Sequence, residues 1–342
     1  MCSYPLDLTQ SEISSDCKVF PLKSMRHLER LLVCDRKKLI EISERAGSFY
    51  EPFDRQKFGT EKWRHIDNPT DRLKIIQGRI NKKILSRISL PPTMLGGVKG
   101  KSIFDNATPH VDKEMIVTLD IKNCFPRISH KVILSIFING LKCSEEIARV
   151  LTQLTTFQTR LPQGASTSTT LANIVLLPLH NKILKITKLK NLGLTFFVDD
   201  IAISGNDGAL EAIQPIIKII QQNNNAVSNK KIKIMPSYTR QTITGLIVNK
   251  KINISNEKVL AIVDKIIELF NKPSLISKND INSIYGRIAF VKRICPSKGV
   301  FLENTAKKYL LADSSLINKF KLDKTRPCKC SQRHSEHKHL KK

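Results

Sequence analysis

Three aspartates stand where carboxylates could hold divalent cations. Asp120 closes the short β-rich run Ile116-Val117-Thr118-Leu119. The pair Asp199-Asp200 follows between Thr195-Phe196-Phe197-Val198 and Ile201-Ala202-Ile203. Two apolar runs around an acidic pair read as two strands with the pair in a hairpin turn. Mg²⁺ takes a few carboxylates and leaves the rest of its shell to water and phosphate oxygens. Nucleotidyl transfer calls for two such ions about 4 Å apart, one at the attacking hydroxyl and one at the leaving pyrophosphate. One carboxylate at a strand end and two on an adjacent hairpin are a minimal holder for them. Taken alone, Asp199-Asp200 is equally an ordinary turn, because Asp favours turns. The flanking apolar runs put the pair at the end of a buried sheet, where packed like charges are costly without a cation.

The elements that must position these carboxylates are legible from periodicity. Residues 24–48 and 71–87 carry apolar positions at helical spacing (Leu28, Leu31, Leu32, Leu39; Leu73, Ile76, Ile80, Ile84) and predict amphipathic helices. A Pro- and Gly-rich loop runs from Pro91 to Gly100. Helical spacing returns over 130–155 and 166–187, the hairpin follows, then a helix over 208–222 and strands near 231–236 and 242–248. From Glu257 the chain reads as helical through Leu269 and again over 280–294. This order predicts an α+β fold, a small antiparallel sheet backed by helices.

Among the 342 residues, 57 Lys and Arg face 30 Asp and Glu, a net charge of +27. A hydrophobic share of 41% excludes a wholly disordered basic chain. So large an excess repels itself unless a polyanion is the usual partner, and nucleic acid is the commonest one. No stretch approaches the length of a membrane span, and Met1 to Asp7 lacks the layout of a signal peptide. The eight cysteines are scattered, as in reduced cytoplasmic proteins. The expectation is a soluble cytoplasmic protein with no membrane partner.

Three ordered motifs carry a resemblance. Val117-Thr118-Leu119-Asp120-Ile121-Lys122-Asn123-Cys124-Phe125-Pro126, then Leu161-Pro162-Gln163-Gly164-Ala165-Ser166-Thr167-Ser168, then Phe197-Val198-Asp199-Asp200 resemble the successive motifs of bacterial reverse transcriptases. The second departs from the family's usual form in having Ser166 where a proline is common. The resemblance covers roughly 25–310 and is closest to the retron type. It implies a right-hand polymerase fold: a fingers and palm domain over 1–250 with an N-terminal helical extension over 1–55, and a helical thumb over 251–320. A basic tail over 321–342 is expected to be disordered; its Cys328, Cys330, His334, His337 and His339 fit no usual zinc spacing.

By that resemblance Asp120, Asp199 and Asp200 are the carboxylates for two Mg²⁺ ions, with Mn²⁺ as a substitute and the Ile121 carbonyl as a further ligand. Phe125 falls where the family places its steric gate, a ring that leaves no room for a 2′-hydroxyl; otherwise it is core. Gln163 and Gly164 match positions that approach the incoming deoxynucleotide triphosphate and the template. Arg64, in Trp63-Arg64-His65-Ile66-Asp67-Asn68-Pro69, matches the arginine that holds the triphosphate, a bidentate task for guanidinium; otherwise it is a solvated surface charge. Lys231, chosen over Lys230, matches the lysine that protonates the leaving pyrophosphate.

The retron type adds an Asn-Ala-x-x-His element, matched by Asn106-Ala107-Thr108-Pro109-His110, and a Val-Thr-Gly element, matched with Ile for Val by Ile243-Thr244-Gly245. In the family these are associated with recognising a structured RNA whose 2′-hydroxyl primes synthesis. Asn106, His110, Thr244 and Gly245 are therefore RNA-binding candidates, together with the basic residues Arg287, Lys292 and Arg293 of the expected thumb. Partners so implied are a structured non-coding RNA as template and primer, the single-stranded DNA product and an effector protein, in a setting of defence against phage. Two alternatives stay open: a defence-associated reverse transcriptase with another template, and an inactive RNA-binding protein of the same fold.

Overall fold

The computed structural model describes residues 21–56, 58–228, 231–271 and 277–310. The tail at 321–342 with its Cys and His residues, the last ten positions of the expected thumb and Lys230 lie outside them. The chain divides into two compact units, one ending at Ile252 and one beginning at Asn253.

The first unit opens with α1 (Met25–Leu32) and α2 (Arg36–Glu44). Asp35 caps α2, its carboxylate accepting the Lys37 N–H at 3.0 Å. After a 3₁₀ turn, β1 (Tyr50–Gln56) and β2 (Trp63–Pro69) form an antiparallel hairpin, followed by α3 (Asp71–Lys83) and the short α4 (Ile103–Ala107). Strand β3 (Met115–Asp120) leads to α5 (Cys124–Arg127), α6 (His130–Ser135) and α7 (Glu145–Thr155). The 22-residue α8 (Ser168–Leu189) precedes the hairpin of β4 (Gly193–Phe197) and β5 (Asp200–Gly205). Helices α9 (Gly208–Glu211) and α10 (Ile213–Gln222) and strands β6 (Lys233–Pro236), β7 (Thr242–Ile243) and β8 (Leu246–Ile247) complete the unit.

The central sheet is antiparallel, in the order β4-β5-β3-β6. Directly opposed residues share a face, and the register gives the two faces different work. Val117 opposite Ile203, and Leu119 and Phe196 opposite Ile201, are buried in one large core with Leu171, Ile174, Val175 and Ile183 of α8 and Ile216 and Ile220 of α10. Burying each such side chain stabilises the fold by about 1.5–3 kcal/mol. The other face carries Thr118, Asp120, Asp200 and Ala202, and this is the face on which the acidic residues emerge.

The second unit is helical: α11 (Asn256–Phe270), α12 (Lys278–Ile294) and α13 (Pro296–Leu310) pack on one another. Helix α11 buries Val259, Ile262, Ile266 and Leu269, a spacing of one helical stripe. A capping box between Ser277 and Asp280 starts α12.

Three expectations are corrected. The helical extension does not reach residue 55; the chain becomes strand at Tyr50, because Tyr50–Gln56 has no helical stripe, contains Pro52 and finds a partner in β2. Asp200 is not in the turn but begins β5. The strand expected over 242–248 is a tight hairpin, turned by Thr244 (φ 45°) and Gly245 (φ 81°).

Candidate active site

Strand β3 delivers Asp120 directly opposite Asp200, and the Ile121 N–H donates to the Asp199 carbonyl at 3.0 Å. All three acidic residues thus share one end of the sheet. Ile121, whose carbonyl is the further oxygen considered above, bridges to Val227. The turn consists of Val198 and Asp199 alone. Val198 has a φ of 61°, which is an outlier for a β-branched side chain and costs on the order of 1–3 kcal/mol. The loop from Pro91 to Gly100 holds this turn in place. Phe196 donates its N–H to the Thr93 carbonyl and accepts from the Leu95 N–H, both at 2.8 Å. Buried Asn173 donates through Nδ2 to the Gly96 carbonyl at 2.8 Å. A Cβ on Gly96 would lie 2.5 Å from the Val198 nitrogen, so only glycine lets the loop close on the turn. Sequence reasoning missed Gly96, Asn173 and Val198, since a Gly-Gly pair in a loop signals only a bend.

Burial pushes the Asp200 carboxyl up to about 6, with the charges of Asp199 and Asp120 adding to the rise and Lys231 and Lys233 opposing it. Asp199 is raised by burial first and then by Asp120, against Lys231 and Arg64. Lys231 Nζ donates to Asp120 Oδ1 at 2.7 Å. Among the described residues no three acidic, His or Cys side chains converge into a ready-made ligand cluster. The donor chemistry still fits a divalent cation: hard oxygen donors at one sheet end, two of them desolvated and repelled by their neighbours, are relieved by positive charge. Asp120, Asp199 and Asp200 are the side chains that would hold it.

Asp120 and Asp200 open onto a cleft of about 620 Å³, lined also by Lys231, Lys233, Asn106 and Thr244. Asn106 reaches the wall from α4 and donates to Thr244 Oγ1 at 3.4 Å, joining the two elements expected to read RNA. Its Oδ1 is buried without a partner. Gly245 also lines this cleft. His110 does not: the ring is fully buried, with Nδ1 on Ser204 Oγ at 2.7 Å and Nε2 on Thr195 Oγ1 at 2.8 Å. That corrects the expectation of an RNA contact, since a fully buried ring offers RNA no surface; His110 ties α4 and its 3₁₀ turn to β4 and β5.

Arg64 is exposed on β2 and directly opposite Arg55 of β1. Like charges so placed destabilise a hairpin. Gln163 and Gly164 are docked on the same strand. Asp67 and Gln163 exchange hydrogen bonds, and a Cβ on Gly164 (φ 142°) would lie 2.9 Å from the Asp67 carbonyl oxygen.

A family model described as reverse transcriptase (RNA-dependent DNA polymerase) matches residues 55–248, more than half of the chain. The chain belongs to the reverse transcriptase family. It is 31% identical to the retron Se72 reverse transcriptase of Salmonella heidelberg over 66% of this chain and 62% of that protein. It is 29% identical to the retron Ec86 reverse transcriptase of Escherichia coli over 71% of this chain and 75% of that protein. The chain therefore spans less than two thirds of the Salmonella relative. Telomerase from Candida albicans, solved with a fragment of telomeric RNA, aligns at a TM-score of 0.42 and 11% identity over 81% of this chain and 61% of that one.

Phe125 sits on α5, half-buried against the large core. Arg287, Lys292 and Arg293 lie on α12 in the second unit, where Lys292 is paired with Glu303 of α13 at 2.7 Å. No helix among the described residues is long and apolar enough to cross a membrane.

Proposed function

We propose that this chain is an RNA-directed DNA polymerase that copies a structured non-coding RNA into single-stranded DNA. The observation that carries the reading is the apposition of Asp120 and Asp200, with Asp199 in the adjoining turn, at the edge of an open cleft on a protein of net charge +27. Two Mg²⁺ ions, or Mn²⁺ in their place, supply activation of the attacking hydroxyl and charge neutralisation on the triphosphate. Asp120, Asp199 and Asp200 hold that positive charge at the sheet end, and the strapped turn fixes the last two. Arg64 binds triphosphate oxygens of the deoxynucleotide. Gln163 and Gly164 approach base and template, and Phe125 excludes a 2′-hydroxyl. Bond formation from the primer oxygen to the α-phosphorus breaks the bond to pyrophosphate; the hydroxyl proton passes to solvent, and Lys231, kept at the site by Asp120, gives the leaving group its proton.

The RNA partner is read by shape, phosphates and 2′-hydroxyls at Asn106, Thr244 and Gly245 of the first unit, and Arg287, Lys292 and Arg293 of α12 in the second unit supply further phosphate contacts. Its own 2′-hydroxyl primes synthesis, in keeping with the retron-type elements at Asn106-Ala107-Thr108-Pro109-His110 and Ile243-Thr244-Gly245, and the product is DNA joined to RNA. Defence against phage, with an effector protein as a further partner in the cytoplasm, is the setting that follows.

The test is to purify the protein from its host and analyse the nucleic acid that accompanies it. DNA whose end is joined to RNA is expected with the wild-type chain and not with the Asp199→Asn, Asp200→Asn variant. Free DNA alone would leave a polymerase with another primer. RNA with no DNA in either preparation would leave an RNA-binding protein of this fold.

A further inference from the structure

Asp67 is a carboxylate with no exposure at all, in a position where an unpaired charge is prohibitively costly. Its partners account for its tolerance. Arg160 meets both oxygens, through Nη2 on Oδ1 at 3.3 Å and Nη1 on Oδ2 at 3.2 Å. Oδ2 also accepts the Gln163 N–H at 2.9 Å, and the Asp67 N–H donates to the Gln163 carbonyl at 2.9 Å. His65 Nε2 stands 3.5 Å from Oδ1. The carboxylate thus joins two segments 96 residues apart in the chain. One is β2, which carries Arg64 three positions earlier; the other is the loop carrying Gln163 and Gly164. Gly164 completes the junction, because a Cβ there would lie 2.8 Å from Ile66 Cγ2.

We propose that Asp67 is a positioning residue that sets the distance between the triphosphate arginine and the loop that meets the base. It touches neither substrate nor metal. Arg64 and Gln163 address opposite ends of one nucleotide, so a shift of β2 against the loop misaligns one end whenever the other is bound. A misplacement of about 1 Å is enough to weaken a site of this kind by one to two orders of magnitude. The charge itself matters, because Asn in this place would offer Arg160 a neutral partner and lose one of the two oxygens of the fork. Arg160 serves the same junction from the loop side, at about one quarter exposure of its side chain.

This inference rests on the polymerase reading, and its test separates the two. The full chain is assayed on poly(rA) primed with oligo(dT), with dTTP and the template-primer varied in turn. Asp67→Asn is expected to raise the KM for dTTP about tenfold while the KM for template-primer stays at the wild-type value. Arg160→Lys, which keeps a cation but not the fork, is expected to show the same split at smaller size and guards against a misfolded Asp67→Asn. A merely structural role predicts fewer active molecules, hence a lower kcat with both KM values unchanged. That pattern in a folded variant of either residue overturns the role of Asp67 and leaves the polymerase standing. A wild-type chain that incorporates no dTTP overturns both.

Discussion

Lowering the pH should weaken this fold through one buried ring. His110 is buried against β4 and β5, and burial, with the nearby charge of Lys113 adding to it, pushes its pKa down to about 4. An unfolded histidine titrates near 6.5. Between these values the unfolded chain binds a proton that the folded chain refuses, so stability rises with pH there. The contribution of the neutral ring is complete above pH 6.5 and is lost progressively as pH falls toward 4. Its full size is about 3 kcal/mol, from 1.36 kcal/mol per pKa unit, and about 2 kcal/mol of it is gone at pH 5. The perturbation is His110→Gln, which keeps hydrogen-bonding groups but cannot titrate. The assay is urea unfolding followed by circular dichroism between pH 8 and pH 5 for both proteins. At pH 8 the variant should be the less stable, having lost the paired bonds to Ser204 and Thr195. The gap should narrow by about 2 kcal/mol at pH 5 as the wild type is penalised. A gap that stays constant across this range would refute the reasoning, because the ring would then titrate alike in both states.

Two further outcomes follow from the site. Gly96→Ala places a methyl group against the Val198 nitrogen and should lower the rate of DNA synthesis on the order of tenfold by shifting the Asp199 turn; a wild-type rate under saturating substrate would show that the loop does not hold the turn. Phe125→Ala should admit ribonucleotides more readily, on the order of ten- to a hundredfold in the ratio of incorporation, and an unchanged ratio removes Phe125 from the gate.

The placement of Asp120 and Asp199 at one sheet end was legible because short apolar runs mark strands and an acidic residue follows the runs 116–119 and 195–198. The long helices were legible from their stripes. What escaped detection lies where the signal is non-local. Strand β1 is exposed along all but its first residue, so it has no burial pattern to betray it, and only pairing with β2 makes it a strand. Asp67 stands in the motif around Arg64 with no role of its own, and Arg160 carries no signal, until a separation of 93 residues is closed. His110 was singled out for a reason its environment does not support: its motif suggested contact with RNA, whereas one hydroxyl at each ring nitrogen makes it an internal tie. The pairing of Asn106 with Thr244 across 138 residues explains why two distant short elements belong to one wall of the cleft.

The proposed metal-dependent centre of an RNA-directed DNA polymerase consists of Asp120, Asp199 and Asp200. Its most direct test is incorporation of labelled dTTP on poly(rA) primed with oligo(dT), with Mg²⁺ titrated, for the wild-type chain and the Asp199→Asn, Asp200→Asn variant, with retention of the RNA measured alongside. The account predicts Mg²⁺-dependent incorporation by the wild type and, in the variant, a loss of at least about three orders of magnitude with RNA binding kept. Incorporation by the variant at the wild-type rate would contradict it.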